Sequence, residues 1–283
     1  MNNAKLAIGA ALAGAFALGA IAVGFTSAQT GAKTADQESD DNMSHAPKVS
    51  VDTSFSDLQE EEIGALVRAY LLNNPEVIIE AVNKYSNEQR LAAERNSRQA
   101  AMEGLPYLLD PQTSFVAGKD PAKAKIAVIE FFDYHCGYCK RASGLVKKLA
   151  KSDADIKVVF REMPILREES AYAAEMALAS RDQGKFVDFH FAMLDSSGVL
   201  TKDRVHEFAR GVGLDVAKME SAVESDEIPN ILQDNLSLAA ALGIDGTPAF
   251  IIAALDGSYV EVVSGYDEAT IEAKIKEAKK AVR

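Results

Sequence analysis

Residues 126–132, Ile-Ala-Val-Ile-Glu-Phe-Phe, form a short and nearly continuous apolar run. Such a run fits a central strand buried on both faces. A helical stretch follows from Cys139 to about Lys151, and residues 156–161, Ile-Lys-Val-Val-Phe-Arg, read as a second strand. Strand, helix, strand is a βαβ unit, expected to be right-handed with parallel strands. A helical section comes next, with helices expected at 171–179, 186–194, 201–210 and 215–223, punctuated by Gly184, Gly198, Gly211 and Gly213. Another helix is expected over 228–242. Strands at 249–252 and 259–263 are joined through Asp256–Gly257, a hairpin signal, and a last helix spans about 267–281.

Upstream of this body, Ser56 and Gln59 resemble a capping box. Ile63, Leu66, Val67, Tyr70 and Leu71 then recur at helical spacing. Asn74–Pro75 stops that helix and starts a second, with Pro75 suited to a first helical turn. The second carries an apolar stripe of Val77, Ile78, Ala81, Val82 and Tyr85, then runs on through a charged, Ala-rich stretch. Residues 56–102 therefore read as two helices, the second long. Two readings stand for their apolar stripe: packing on the protein's own body, or a self-association arm.

Residues 6–25 are uncharged and rich in Ala and Gly, with Lys5 ahead of them and Thr26-Ser27-Ala28 behind. This is the pattern of a secretory signal peptide. An uncleaved membrane anchor is the alternative, since a bilayer needs ~20 apolar residues. Either reading puts the body of the chain outside the cytoplasm, where disulfide chemistry is permitted. Residues 29–55 are polar and acidic and read as a flexible linker. The expected organisation is thus a leader at 1–28, a linker at 29–55, a helical arm at 56–104, and a main domain at 105–283 with a helical insertion at about 167–228.

The 283 residues are 48% hydrophobic and 25% charged, enough for a sizeable core. The formal net charge of -12 argues against nucleic acid as a partner, because phosphate binding needs a basic face. The chain has only two cysteines, Cys136 and Cys139. A fold stapled by structural disulfides would show more, at wider spacing.

Those two cysteines carry the chemistry. A spacing of three at a helix start brings both sulfurs within bridging reach. At a helix N-terminus the free backbone N–H groups and the macrodipole favour a thiolate. Lys140 and Arg141 add positive charge within the first turns. Cys136 is the expected nucleophile and Cys139 the resolving thiol. Half of a zinc site is the first competing reading, but zinc needs two more ligands and the histidines, at 45, 135, 190 and 206, are scattered. An inert structural disulfide is the second. No metal and no cofactor beyond the redox-active Cys136–Cys139 pair is expected. Glu130 is a carboxylate inside a run that should be buried, and burial raises a carboxyl's pKa. Six residues before Cys136, it is expected beneath the cysteines, passing a proton to or from Cys139. The competing reading is a solvated charge at an exposed strand end. Gly246-Thr247-Pro248 precedes a strand, where a proline is often a plain turn residue.

The segment Glu130-Phe131-Phe132-Asp133-Tyr134-His135-Cys136-Gly137-Tyr138-Cys139-Lys140 resembles the active-site segment of the DsbA family of thiol–disulfide oxidoreductases. Residues 159–166 resemble that family's second core strand and its exit, and 243–250 resemble its cis-proline loop. The helices at 56–102 look like those of the ScsC-like branch, whose members can be oligomeric. The resemblance implies an α/β, thioredoxin-like fold with an inserted helical domain, behind an N-terminal helical arm. It implies an exposed Cys136, a buried Cys139, Glu130 as the acid under the cysteines, and a cis Pro248. Thr247, Tyr138 and His135 would border the substrate, with the Thr247 backbone pairing with an extended peptide. The implied partners are unfolded or partly folded exported proteins with thiols, and a membrane redox partner that recycles the pair.

The dipeptide between the cysteines is Gly-Tyr, where the prototype oxidase of the family has Pro-His. A His there would favour the thiolate, so Cys136 is expected to be less acidified. His135, just outside the pair, is a candidate for partial electrostatic replacement. Gly-Tyr with Thr-Pro resembles the periplasmic isomerases of the DsbC type. Three functions therefore stand: disulfide formation, isomerisation or reduction by an oligomer, and non-catalytic thiol-based binding or holdase activity.

Overall fold

The computed structural model describes residues 55–225 and 227–282. The expected leader at 1–28 and the linker up to residue 54 lie outside the described residues. Among the described residues no helix is long and apolar enough to cross a membrane.

Five strands form one sheet: β1 (Phe115–Gly118), β2 (Ile126–Phe132), β3 (Ile156–Glu162), β4 (Ala249–Ala254) and β5 (Val260–Ser264). Their order is β1-β3-β2-β4-β5. β2 and β3 are parallel, joined by helix α4 (Gly137–Ser152), and the other pairings are antiparallel. The central β2 is buried at all seven positions, which is why its sequence shows no polar alternation. In register, Glu130 faces Phe160 on one side and Phe250 on the other.

The side-chain period of two separates the sheet's faces. Ile126, Val128 and Phe132 pack with Cys139, Ala142, Leu145, Val146 and Leu149 of α4. Ala127, Ile129 and Phe131 pack instead with Ala101, Leu108, Ala239 and Leu242. Glu130 therefore belongs to the α4 face by alternation. Each fully buried Phe or Ile in these layers contributes roughly 1.5–3 kcal/mol.

Between β3 and β4 lie helices α5 (Glu168–Ala179), α6 (Phe186–Leu194), α7 (Lys202–Gly211), α8 (Val216–Val223) and α9 (Glu227–Ala241). The chain closes with the β4–β5 hairpin and α10 (Glu268–Ala281). At the hairpin tip Gly257 takes a φ of 77° and donates its N–H to the Ala254 carbonyl at 3.0 Å, a conformation that favours glycine. This is a thioredoxin-like sheet with helices inserted before the β4–β5 hairpin.

Two elements differ from the sequence expectation. The segment 105–125 gave no pattern, yet it holds the one-turn helix α3 (Leu105–Leu108) and the edge strand β1. A buried arginine organises it. Arg161 of β3 is 1% exposed and donates to the carbonyls of Tyr107, Leu108 (3.3 Å) and Thr113 (3.1 Å), and to Asn235 Oδ1 at 2.8 Å. One cation thus ties the end of α3 and the chain entering β1 to β3 and α9.

The arm consists of α1 (Asp57–Asn73) and α2 (Glu76–Glu103). Gln59 Oε1 accepts from the Ser56 backbone N–H at 3.0 Å, so the expected capping bond is present. The two readings of its apolar stripe apply to different parts of the arm. The last turns of α2 lie on the body: Ala101 is fully buried, Ser97 Oγ donates to the Leu242 carbonyl at 2.5 Å, and Arg98 pairs with Glu261 at 2.9 Å. The upper stripe is uncovered, with Ile63, Leu66, Val67, Tyr70, Ile78, Ile79, Val82 and Tyr85 all exposed.

Candidate active site

Cys136 is the N-cap of α4, with extended backbone angles (φ -74°, ψ 116°). That position normally goes to a side-chain oxygen that accepts a free helix N–H. Here the sulfur takes the role and accepts the backbone N–H of Cys139 at 3.3 Å. Both cysteines are free. The Cys136 thiol is lowered to about 6, chiefly because the Cys139 thiol donates to it, opposed by burial and aided by backbone N–H groups of the first turn. Cys139 is fully buried, and its pKa is pushed far up by desolvation, by its donation to Cys136 and by nearby Glu130. One helix end therefore holds one acidified and one strongly protonated thiol: burial weighs most on Cys139, and the S–H that Cys139 donates widens the difference.

The expectation of an exposed Cys136 is corrected: the residue is 4% exposed. Its cover includes the loop before β4. The Thr247–Pro248 peptide is cis, and the Thr247 carbonyl accepts from Cys136 Sγ–H at 3.1 Å. That bond exists only for the thiol. The Thr247 hydroxyl is buried and has no hydrogen-bond partner. Pro248 is buried behind it.

Glu130 is fully buried, and neither carboxylate oxygen has a partner. Desolvation, with a smaller contribution from the charge of Cys136, raises its pKa to about 8. The reading of a solvated strand end is excluded. By strand alternation the acid lies in the sheet face that α4 covers, close enough to Cys139 to raise that thiol's hold on its proton.

Tyr138 is 56% exposed beside the cysteines, with the Arg141 guanidinium 3.8 Å above its ring. His135 departs from expectation. Its side chain is only 3% exposed. Nε2 accepts the Leu200 backbone N–H at 3.0 Å, and Nδ1 lies 2.9 Å from Ser170 Oγ. An imidazole whose Nε2 is an acceptor is neutral, so the electrostatic role expected for His135 is not supported.

Sequence reasoning missed a second buried polar group. Tyr134 O–H donates to Glu162 Oε1 at 3.1 Å and lies 3.0 Å from His190 Nδ1. Glu162 is 1% exposed, and desolvation holds its pKa well above the usual range. Asp133 is buried beside it and accepts four hydrogen bonds, from His135 N, Ser170 Oγ, Ile165 N and Leu166 N, at 2.7–3.0 Å. The available signal was a charged residue at the end of an apolar run, weaker than the charge inside a run that marked Glu130.

Comparison with known proteins agrees with this geometry. Residues 127–276, more than half of the chain, match the DSBA-like thioredoxin domain, and residues 59–94 match the copper resistance protein ScsC N-terminal domain. The chain is 33% identical over 153 residues to the thiol:disulfide interchange protein DsbA of Bordetella pertussis, covering 51% of this chain and 71% of that one. The crystal structure of Salmonella enterica Typhimurium BcfH is similar with a TM-score of 0.66 and 28% identity, over 78% of this chain and 96% of that one. A Proteus mirabilis ScsC linker-deletion variant is similar with a TM-score of 0.57 and 25% identity, over 82% of this chain and all of that one. Na(+)/H(+) antiporters of the NhaA type also match, but the chain spans only 26% of the length of the one from Salinispora tropica. A CxxC pair at the head of α4, a buried acid in the strand before it and a cis proline facing it, on a chain that matches both of these domain families, make this protein a member of the DsbA family of thiol–disulfide oxidoreductases, in its ScsC-like branch.

Proposed function

We propose that the protein exchanges disulfides in thiol-bearing polypeptides outside the cytoplasm, using Cys136 and Cys139 as its redox pair and no other cofactor. The observation that carries this reading is the asymmetry of the two sulfurs: Cys136 at about 6 on the helix cap, Cys139 buried and strongly protonated. Near pH 7 roughly nine in ten Cys136 side chains are then thiolate.

The reduced pair acts as follows. The Cys136 thiolate attacks one sulfur of a substrate disulfide. A mixed disulfide forms, the substrate S–S bond breaks, and the other substrate sulfur leaves as thiolate. Cys139 then gives its proton to Glu130 and attacks Cys136 Sγ. The Cys136–Cys139 bond forms, the substrate's second thiolate leaves, and two electrons have passed to the substrate. Run backwards, the same steps oxidise a substrate dithiol. When the substrate's own freed thiolate resolves the mixed disulfide, the result is isomerisation with no net electron transfer.

The Thr247 carbonyl beside the Cys136 sulfur supports a reading in which this backbone pairs with an extended peptide, and Tyr138 offers an exposed ring beside the attacking sulfur. Pairing through backbone supports affinity without strict sequence preference. The reaction is tested by insulin reduction and by refolding of scrambled ribonuclease with the full chain and with Cys136→Ser. Activity lost in the variant supports the reading. Undiminished substrate binding with no turnover in either protein would favour a binding module or holdase.

A second reading concerns the arm. Its uncovered apolar stripe on α1 and the first part of α2 is of the kind that marks association surfaces. We propose that it joins copies of this chain and that the assembly works as an isomerase or reductase. Because residues 97–103 lie on the body, the informative deletion ends at residue 96. Isomerase turnover that disappears with residues 56–96, while insulin reduction survives, supports this reading. A highly oxidising pair with no isomerase turnover in the full chain favours an oxidase, which a membrane redox partner would recycle.

A further inference from the structure

The residue just before the attacking cysteine is engaged through its backbone N–H and both ring nitrogens. His135 N–H donates to Asp133 Oδ1 at 2.7 Å. Its Nε2 lies 3.0 Å from the backbone nitrogen of Leu200. A peptide N–H only donates, so Nε2 must offer its lone pair. The proton of the neutral ring is then on Nδ1, which donates to Ser170 Oγ at 2.9 Å. Ser170 passes the direction on, donating to Asp133 Oδ1 at 2.8 Å. The order Leu200 to His135 to Ser170 to Asp133 admits no reversal.

This chain of bonds crosses the molecule's two parts. Asp133 and His135 sit on the loop between β2 and α4. Ser170 lies in the first turn of α5, and Leu200 in the loop before α7, so both belong to the helical insertion. On the loop itself the Cys136 N–H donates to the Asp133 carbonyl at 3.0 Å. The backbone that aims the Cys136 sulfur is therefore held to the insertion twice, directly from Ser170 to Asp133 and through the His135 imidazole, which reaches on to Leu200.

We propose that His135 is a positioning residue for thiol–disulfide exchange, a neutral clasp between the Cys136 loop and the inserted helices that opens when the ring takes up a second proton. A proton on Nε2 sets N–H against the Leu200 N–H. The groups facing the ring are Asp133 on its own loop, Lys140 on α4, and Arg167 and Glu169 at the start of α5, while the Leu200 segment 196–201 carries no charged residue. Burial, with Arg167 and Lys140, outweighs the two carboxylates and keeps the pKa of the ring below the usual histidine value. The consequence for exchange rests on the function proposed above; the clasp does not.

The test uses the full chain with nitrogen-15 histidine, assigned against His135→Gln. The Nδ1–H tautomer is expected at pH 7, with a protonation midpoint below 6.5. In parallel, thiolate absorbance gives the ionisation midpoint of Cys136. His135→Ala is expected to raise it by roughly half a pH unit or more, towards the free-cysteine value. In His135→Gln an amide oxygen accepts from Leu200 and never charges, so most of that shift is restored. Ser170→Ala cuts the link to Asp133 and serves if His135→Ala does not fold; it moves the midpoint the same way by less. An Nε2–H tautomer, a ring titrating at or above 6.5, or lower melting temperatures with an unmoved Cys136 midpoint would each overturn the clasp. An Nδ1–H ring in a protein with no exchange activity would contradict the proposed function and leave the clasp standing.

Discussion

The backbone N–H of Cys139 is aimed at the sulfur of Cys136 across 3.3 Å. The second cysteine thus stabilises the anion of the first before it attacks it. Burial withholds ionisation from Cys139 itself, helped by the S–H that it donates to its neighbour. The two residues have separable roles, and their variants differ accordingly. Cys136→Ser abolishes exchange. Cys139→Ser still attacks substrates and accumulates mixed disulfides, visible as a mass increase that dithiothreitol removes. Equal trapping by both variants would contradict the assignment.

Glu130 sets an opposition between stability and turnover. Burial lifts its pKa from the ordinary 4.5 of a solvated glutamate to about 8, so the folded protein holds the proton more tightly than the unfolded chain. The sign follows: stability from this group is present below about 4.5 and is lost as pH rises through 8. Glu130→Gln should therefore be more stable than wild type at pH 8, by several kcal/mol as an order of magnitude, with no gain at pH 4. Removing a proton acceptor should also slow the Cys139 step on the order of a hundredfold. Urea melts at both pH values and single-turnover kinetics measure the two effects.

His190 is buried among Phe132, Phe160, Phe186 and Phe191, and desolvation lowers its pKa to about 3. Unfolded, it takes up a proton near 6.5. Its contribution is present above that value, erodes as pH falls, and is gone below about 3. Between pH 6 and 4 the stability of wild type should fall more steeply than that of His190→Leu, by up to about 1.4 kcal/mol per pH unit. Parallel curves would contradict a neutral buried ring.

Arg161→Leu leaves the carbonyls of Tyr107, Leu108 and Thr113 and the amide of Asn235 without their donor. The expected loss is about 3–5 kcal/mol, read as a lower urea midpoint. The Cys136 ionisation midpoint should not move, because Arg161 points to the opposite face of the sheet.

The strand β2 was legible because a centre strand buried on both faces shows as an unbroken apolar run. Glu130 was legible as the one charge inside it. The same logic applied at Arg161 and Glu162 but was masked by their place at a strand end, where exposure is the ordinary condition. β1 was not legible: four residues, each only half buried, give no run to read. The state of His135 depends on Ser170 and Leu200, 35 and 65 residues away, and no local pattern carries that information. The low exposure of Cys136 has a similar origin, since its cover includes Thr247, 111 residues on.

Exchange by this pair depends on the helix cap holding the Cys136 sulfur as an anion near neutral pH. Thiolate absorbance in the far ultraviolet, followed from acid to mildly alkaline pH on the reduced protein with Cys136→Ser as the blank, measures that anion itself. A single transition near pH 6 is predicted, with no second transition from Cys139 in the range. A midpoint at about 8.5, the value of a free cysteine, would contradict it.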